Sequence, residues 1–216
     1  MLEKIKVLVI DNSDTFLYYL ECHMRICLYA MIISTIVGVT LGIICGKKLR
    51  FGSYVINTAN FIRMIPTISL LILFMPIIGS GRTPALIALC IGCIPVQIIN
   101  TRLGILSVEP QVLEAADGMG MGKWRKLFTV EIPLAFPMII TGFRISLIQA
   151  ISSSTVASYV GSTSLGNYIV EGFYGGARTT HKLLVGAGSI AIITVVFDWI
   201  MTYIQKQCNK RFGAVQ

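Results

Sequence analysis

Charge is scarce in this chain, and acidic charge scarcer still: of 216 residues 13% are charged, with 10 Asp or Glu against 18 Lys or Arg. With 55% hydrophobic residues and a mean hydropathy of +0.77, too little polar surface exists for a soluble domain, so the composition assigns the chain to a bilayer. Histidine is almost absent. His23 and His181 flank apolar runs, and no glycine-flanked nucleophile elbow accompanies them, which argues against nucleophilic hydrolase chemistry. No GxxxxGK[ST] is found, because Gly46 before Lys47 and Gly122 before Lys123 both lack the earlier glycine; no cofactor is expected in this chain. Cys90 and Cys93 form a CxxC without a second ligand pair, so no metal is expected and the cysteines within apolar runs read as small hydrophobes. Internally duplicated halves, the mark of many secondary carriers, are also missing.

What the chain has instead is apolar runs. About five windows approach the roughly 20 residues needed to cross hydrocarbon, giving an all-α membrane protein with one compact domain. The spans are expected at 24–45, at 54–78 with a break at Pro66, over a third run ending near Asn100, at 136–159 and at 183–204. The transmembrane domain so defined covers 21–208, with a short segment before it and a tail at 209–216. Gly38, Gly42 and Gly46 repeat every four residues and predict a groove for close helix packing in lipid. The net charge of +8 is spread in short clusters rather than on one aromatic-interleaved face, so the positive-inside rule accounts for it and nucleic acid is not an expected partner. Lys47, Lys48 and Arg50, then Lys123, Arg125 and Lys126, then Lys206, Lys210 and Arg211 all fall on the cytoplasmic side if the N-terminus is outside.

Residues 1–20 are expected to lie outside or at the membrane interface, and acidic residues there argue against a secretory leader. Within them KVLVIDNSDTF reads as a strand and turn and resembles the opening strand of glutamine amidotransferase domains, a likeness with no catalytic residues behind it. Polar positions inside the spans suggest a path. Arg63, Pro66, Thr67 and Ser69 are expected to face the interior, since a proline in a membrane helix is tolerated where neighbours or a cavity satisfy the freed carbonyl. Ser146, Gln149 and Ser153 recur at helical spacing as a candidate wall, the alternative being hydroxyls bonded back to backbone or a neighbouring helix. Asp198 is expected to pair with Arg144 or Arg63 at similar depth, against the alternative that each snorkels to the interface. The glycine-rich run 161–176 reads as a flexible outer loop.

The segment that directs all of this is EAADGMGMGKWRKLFTVEIP, from Glu114 to Pro133: charged, punctuated by glycine, and held between apolar spans within a cytoplasmic loop of about 103–135. Glu114, Ala115 and Ala116, then Gly120, and finally Val130, Glu131, Ile132 and Pro133 resemble the EAA motif of permease subunits of binding-protein-dependent ABC importers. Ala115 and Ala116 permit close helix contact, Gly120 permits a sharp turn between two short helices, and Pro133 restarts the chain at the fourth span. The pieces RMIPTISLLILF, YVGSTSLGNYI and KLLVGAGSIAIITVVFDW are similar to permeases of the osmoprotectant branch, which carries glycine betaine, carnitine, choline or related quaternary ammonium solutes; related branches carry methionine. Arg63, where the family commonly has a Gln-like residue, and Ser162 to Ser164, where it has glycines, depart from the pattern.

The resemblance implies the type I ABC importer permease fold and a subunit without an ATPase site of its own. It also implies its partners: a cytoplasmic ATP-binding subunit, an extracytoplasmic solute-binding protein, a second permease copy in a homo- or heterodimer, and membrane lipid. Glu114, Ala115, Ala116, Gly120 and Pro133 then carry coupling to the ATPase, while Arg63, Pro66, Thr67, Ser146, Gln149 and Ser153 line the path. A self-contained channel or carrier is the competing reading.

Overall fold

The computed structural model describes Leu8 and residues 12–212, and among these the chain is helices and turns with no strand. Lipid offers the backbone no hydrogen bonds, so each apolar run satisfies its own N–H and C=O groups by coiling. In order come α1 (Ser13–Lys47), α2 (Leu49–Arg63), α3 (Thr67–Ile78), α4 (Arg82–Leu106), α5 (Pro110–Gly118), α6 (Lys123–Lys126), α7 (Ile132–Ser154), α8 (Gly166–Tyr174) and α9 (Thr180–Phe212). A π-helical turn, Leu127–Glu131, joins α6 to α7. Four stretches, Ser13–Lys47, Arg82–Leu106, Lys123–Ser154 and Thr180–Lys210, are long and apolar enough to cross a bilayer, and α2 with α3 makes a fifth if that bent pair is counted as one span. The expected number of spans and the all-α class are both met.

Of three expectations, one is extended, one falls largely outside the described residues and one changes. The first helix extends beyond the span expected at 24–45, starting at Ser13 with Asp14 in its first turn opposing the positive end of the helix dipole, so residues 13–20 belong to α1. The predicted strand falls on residues that, Leu8 apart, lie outside those described. The run 161–176 is not a flexible loop: it holds α8, whose Gly166, Tyr168 and Gly172 are buried.

The chain forms two compact units. The first draws on residues up to Ile33, Ile65–Cys93 and Leu147–Asp198. Here Ser154 Oγ lies 2.9 Å from His23 Nε2 and accepts from Cys27 Sγ at 3.4 Å, all three side chains being buried. Ser164 Oγ meets Ser158 Oγ at 2.8 Å and accepts the Gly166 N–H at 3.0 Å, while Asn167 Oδ1 accepts the Ser164 N–H at 2.9 Å. These bonds turn the polar run after α7 into a fixed corner. A Cβ on Gly172 would stand 2.6 Å from Leu183, so α8 and α9 touch through backbone.

The second unit draws on Ser34–Met64, Ile94–Ser146 and residues from Trp199 onward. A Cβ at Gly38 would lie 2.6 Å from Gln97, at Gly42 2.5 Å from Thr101, and at Gly46 2.6 Å from Ile105. The glycine stripe is therefore the packing groove expected of it, and since both sets of numbers rise together α1 and α4 run in the same direction here. Gly104 against Ala135 and Met138, and Gly142 against Asn100, reverse the order, so α4 and α7 are antiparallel. Ile105, Leu127 and Ala135 form a buried cluster, with Ile43, Ile132 and Ile139 packed on it.

Candidate coupling hairpin and polar wall

The EAA segment folds as a short helical hairpin. In α5 the alternation of exposed and buried positions leaves Glu114 and Ala115 exposed while Ala116 is buried. At its end the Met119 N–H returns to Ala115 O at 3.0 Å, the Gly120 N–H to Asp117 O at 2.9 Å and the Met121 N–H to Ala116 O at 3.1 Å. Gly120 has φ of 71°, a left-handed conformation that costs a residue with a side chain about 1 kcal/mol or more, and this reverses the chain between α5 and α6. Lys126 Nζ closes the hairpin on Asp117 Oδ1 at 2.5 Å. Trp124, 75% exposed, and Phe128 stack with centroids 6.2 Å apart on the outside. The result is a knob whose glycine-edged tip exposes Met119.

Contrary to the expectation from sequence, Pro133 does not restart the chain; the helix runs on from α6 through the π turn into α7. A proline ring inside a helix clashes with the carbonyl four residues earlier, here Thr129, and Thr129 sits in the widened π turn where that carbonyl has room. The same turn carries Glu131, 1% exposed, whose carboxylate Oε1 takes Lys47 Nζ from the end of α1. This ion pair was not among the expected site residues. A single carboxylate in an otherwise apolar stretch, opposite a span-ending lysine, was the available signal. It ties the hairpin to α1, and with the Lys126–Asp117 pair it gives the knob two electrostatic anchors.

The expected path residues divide. Arg63 and Pro66 are exposed on the single chain, as is Ser69, rather than turned to its interior. Pro66 caps α3 with φ −60° and ψ 136°, and its own carbonyl accepts the Ser69 and Leu70 N–H groups, so it orphans no ladder and needs no cavity. Thr67 and Gln149 both border Gly92: Gln149 Nε2 donates to Gly92 O at 3.4 Å, and a Cβ on Gly92 would lie 3.2 Å from that nitrogen and 3.9 Å from Thr67 Oγ1. Ser146 is fully buried, Ser153 is half-buried, and Ser154 is turned inward to His23. Arg144 Nη1 donates to Gln205 Oε1 at 3.0 Å, and Gln205 Nε2 donates to Thr141 Oγ1 at 2.7 Å, which binds α9 to α7.

Residues 38–210 match the family described as the binding-protein-dependent transport system inner membrane component. The chain belongs to that family. It is 32% identical over 93% of its length, and 91% of the relative's, to the glycine betaine/carnitine/choline transport system permease protein OpuCB of Bacillus subtilis. It is 31% identical over 96% of its length, and 86% of the relative's, to the osmoprotectant import permease protein OsmY of Salmonella typhimurium. Among solved structures, an inward-facing form of the MetNI methionine ABC transporter superposes with a TM-score of 0.78 at 18% identity, covering 94% of this chain and 98% of that one. An amino acid ABC transporter crystallised with histidines gives 0.75 at 20% identity over 93% and 97%. The fold is thus that of ABC importer permeases, and the chain is a multi-pass membrane transport component.

Proposed function

We propose that this chain is the permease subunit of an ATP-driven importer for osmoprotectants, glycine betaine, carnitine, choline or related quaternary ammonium solutes. The observation that carries the reading is the hairpin with exposed Glu114 and a left-handed Gly120 at its tip, presented on a family member whose relatives at about 30% identity are named for these solutes. The tip docks on a separate cytoplasmic ATPase, with Glu114 at the contact and the Lys47–Glu131 pair passing its displacement to α1. Two permease copies, homo- or heterodimeric, enclose the path. The N-terminus is outside and the C-terminus cytoplasmic, in keeping with the lysine clusters that end α1 and α9. On this arrangement, Arg63 and Pro66, exposed on one chain, and Thr67 and Gln149 beside Gly92 face the path between copies. An extracytoplasmic binding protein delivers the solute, and ATP stays with the partner subunit.

The test is reconstitution of the permease with its ATPase and binding protein in liposomes. Labelled glycine betaine, carnitine or choline should accumulate only with ATP, and Gly120→Leu should insert normally yet separate hydrolysis from uptake. Normal transport by Gly120→Leu removes the docking assignment; failure of all three solutes in the unaltered complex removes the substrate class.

A further inference from the structure

Away from the coupling hairpin, in the first unit, a cavity of about 420 Å3 lies among α1, α8 and α9, lined by Thr15, Tyr19, Tyr168, Glu171, His181 and Lys182 with two flanking residues. Its size is that of an ordinary small-molecule site. Tyr168 is 3% exposed, yet its hydroxyl has no partner. Buried polar groups in folded chains are nearly always bonded, so this closed-off orphan hydroxyl marks incomplete polar packing beside the cavity. Burial, reinforced by Tyr19 and Glu171, holds the Tyr168 phenol above its usual pKa, so it stays a neutral donor. The Tyr19 and Tyr168 rings meet at 63° with centroids 5.1 Å apart, forming a corner, and Phe16 stacks behind Tyr168 at 6.4 Å. Beside this corner Lys182 Nζ and Glu171 Oε2 pair at 2.6 Å, placing both signs of charge on one wall.

We propose that this cavity is a receiving site for a zwitterionic quaternary ammonium solute, its trimethylammonium group held against Tyr19, Tyr168 and Glu171 and its carboxylate on Lys182 and His181. The assignment rests on the proposed osmoprotectant function and on the outward placement of α8 in the proposed orientation. Aromatic faces attract a cation that cannot donate hydrogen bonds, and the adjoining carboxylate adds to the attraction. Because Glu171 and Lys182 neutralise one another, a simple cation gains little from the pair, whereas a zwitterion engages both ends. Betaine and carnitine are therefore favoured over choline, which has no carboxylate for Lys182.

The experiment uses the complete importer in liposomes, with labelled glycine betaine and choline as probes and the amount of assembled complex measured by retention on a tagged ATPase. Tyr19→Leu should raise the half-saturating concentration for both solutes roughly fivefold, while Tyr19→Phe, which keeps the ring, should stay within about twofold of the unaltered protein. Lys182→Gln should weaken betaine uptake roughly fivefold and choline uptake less than twofold. The exchange Glu171→Lys with Lys182→Glu keeps an ion pair and puts the ammonium at the aromatic corner, so betaine uptake should remain depressed. Full recovery by the exchange, or equal loss of both solutes in Lys182→Gln, makes the pair a structural clasp and overturns the proposal. Should the exchange fail to assemble, the Lys182→Gln solute ratio alone decides. If the unaltered complex imports none of the solutes, the function itself falls; if it imports them and every variant does so equally, the cavity assignment alone falls.

Discussion

Two glycine-rich segments of this protein use the same residue for opposite reasons. In the coupling hairpin Gly118, Gly120 and Gly122 have open space where a Cβ would stand, and Gly120 alone is demanding because its φ is 71°. Within α8 the two glycines are there because nothing else fits: a Cβ on Gly166 would sit 2.1 Å from Thr155 O, and one on Gly172 2.6 Å from Leu183. The hairpin is shaped by backbone conformation at a free surface, the α8 corner by backbone touching backbone. A surface that must meet another protein is left open, while a segment beside the aromatic cavity is locked.

That contrast is broken most forcefully at the locked end. Gly166→Leu has to displace the Thr155 carbonyl, and overpacking of this kind costs about 3 kcal/mol or more; thermal unfolding in detergent should show a large fall in Tm or no assembled protein, and a wild-type Tm would mean the corner yields. Next comes the anchor between hairpin and α1. Lys47→Met strands a Glu131 carboxylate that is 1% exposed, whereas Glu131→Gln strands only a lysine whose side chain is 42% exposed. The first should destabilise by about 2 kcal/mol and the second by less, with the double variant recovering part of the loss; equal effects in the two single variants would remove the buried carboxylate as the cause. Gly120→Ala should cost about 1 kcal/mol in stability and more in coupled uptake, against little or no loss for Gly118→Ala at the neighbouring open position. If both alanines behave alike, the left-handed turn is not what the hairpin requires. Lys126→Ala, which opens the pair to a mostly exposed Asp117, should change stability by less than about 1 kcal/mol, and the change should shrink further in high salt.

Much of this was readable from residues alone. Apolar run length marked the spans, and the four-residue glycine repeat marked the α1 face that meets Gln97, Thr101 and Ile105. The turn at Gly120 followed from the EAA spacing. Other features resisted reading for physical reasons. A run of Gly, Ser, Thr and Asn has the composition of a loop, and it takes the Ser164–Ser158–Asn167 bonds and the Leu183 contact to make a helix of it. Pro133 reads as a helix start because local sequence cannot announce a π turn that accommodates the ring. Arg63 and Pro66 were expected inside because burial depends on what surrounds a helix, and a single chain leaves them exposed.

By itself the sequence determined that the protein lives in lipid, where its long apolar runs lie, and which segment carries the family motif, since hydropathy and spacing are properties of consecutive residues. Tertiary structure decided that Glu131 is paired with Lys47, that Gln149 reaches the Gly92 carbonyl, and that Tyr19, Tyr168, Glu171 and Lys182 share one cavity. Those contacts join residues far apart in the chain or on separate helices, and only the packing of helix against helix brings such side chains within the few ångströms over which charge and hydrogen bonding act.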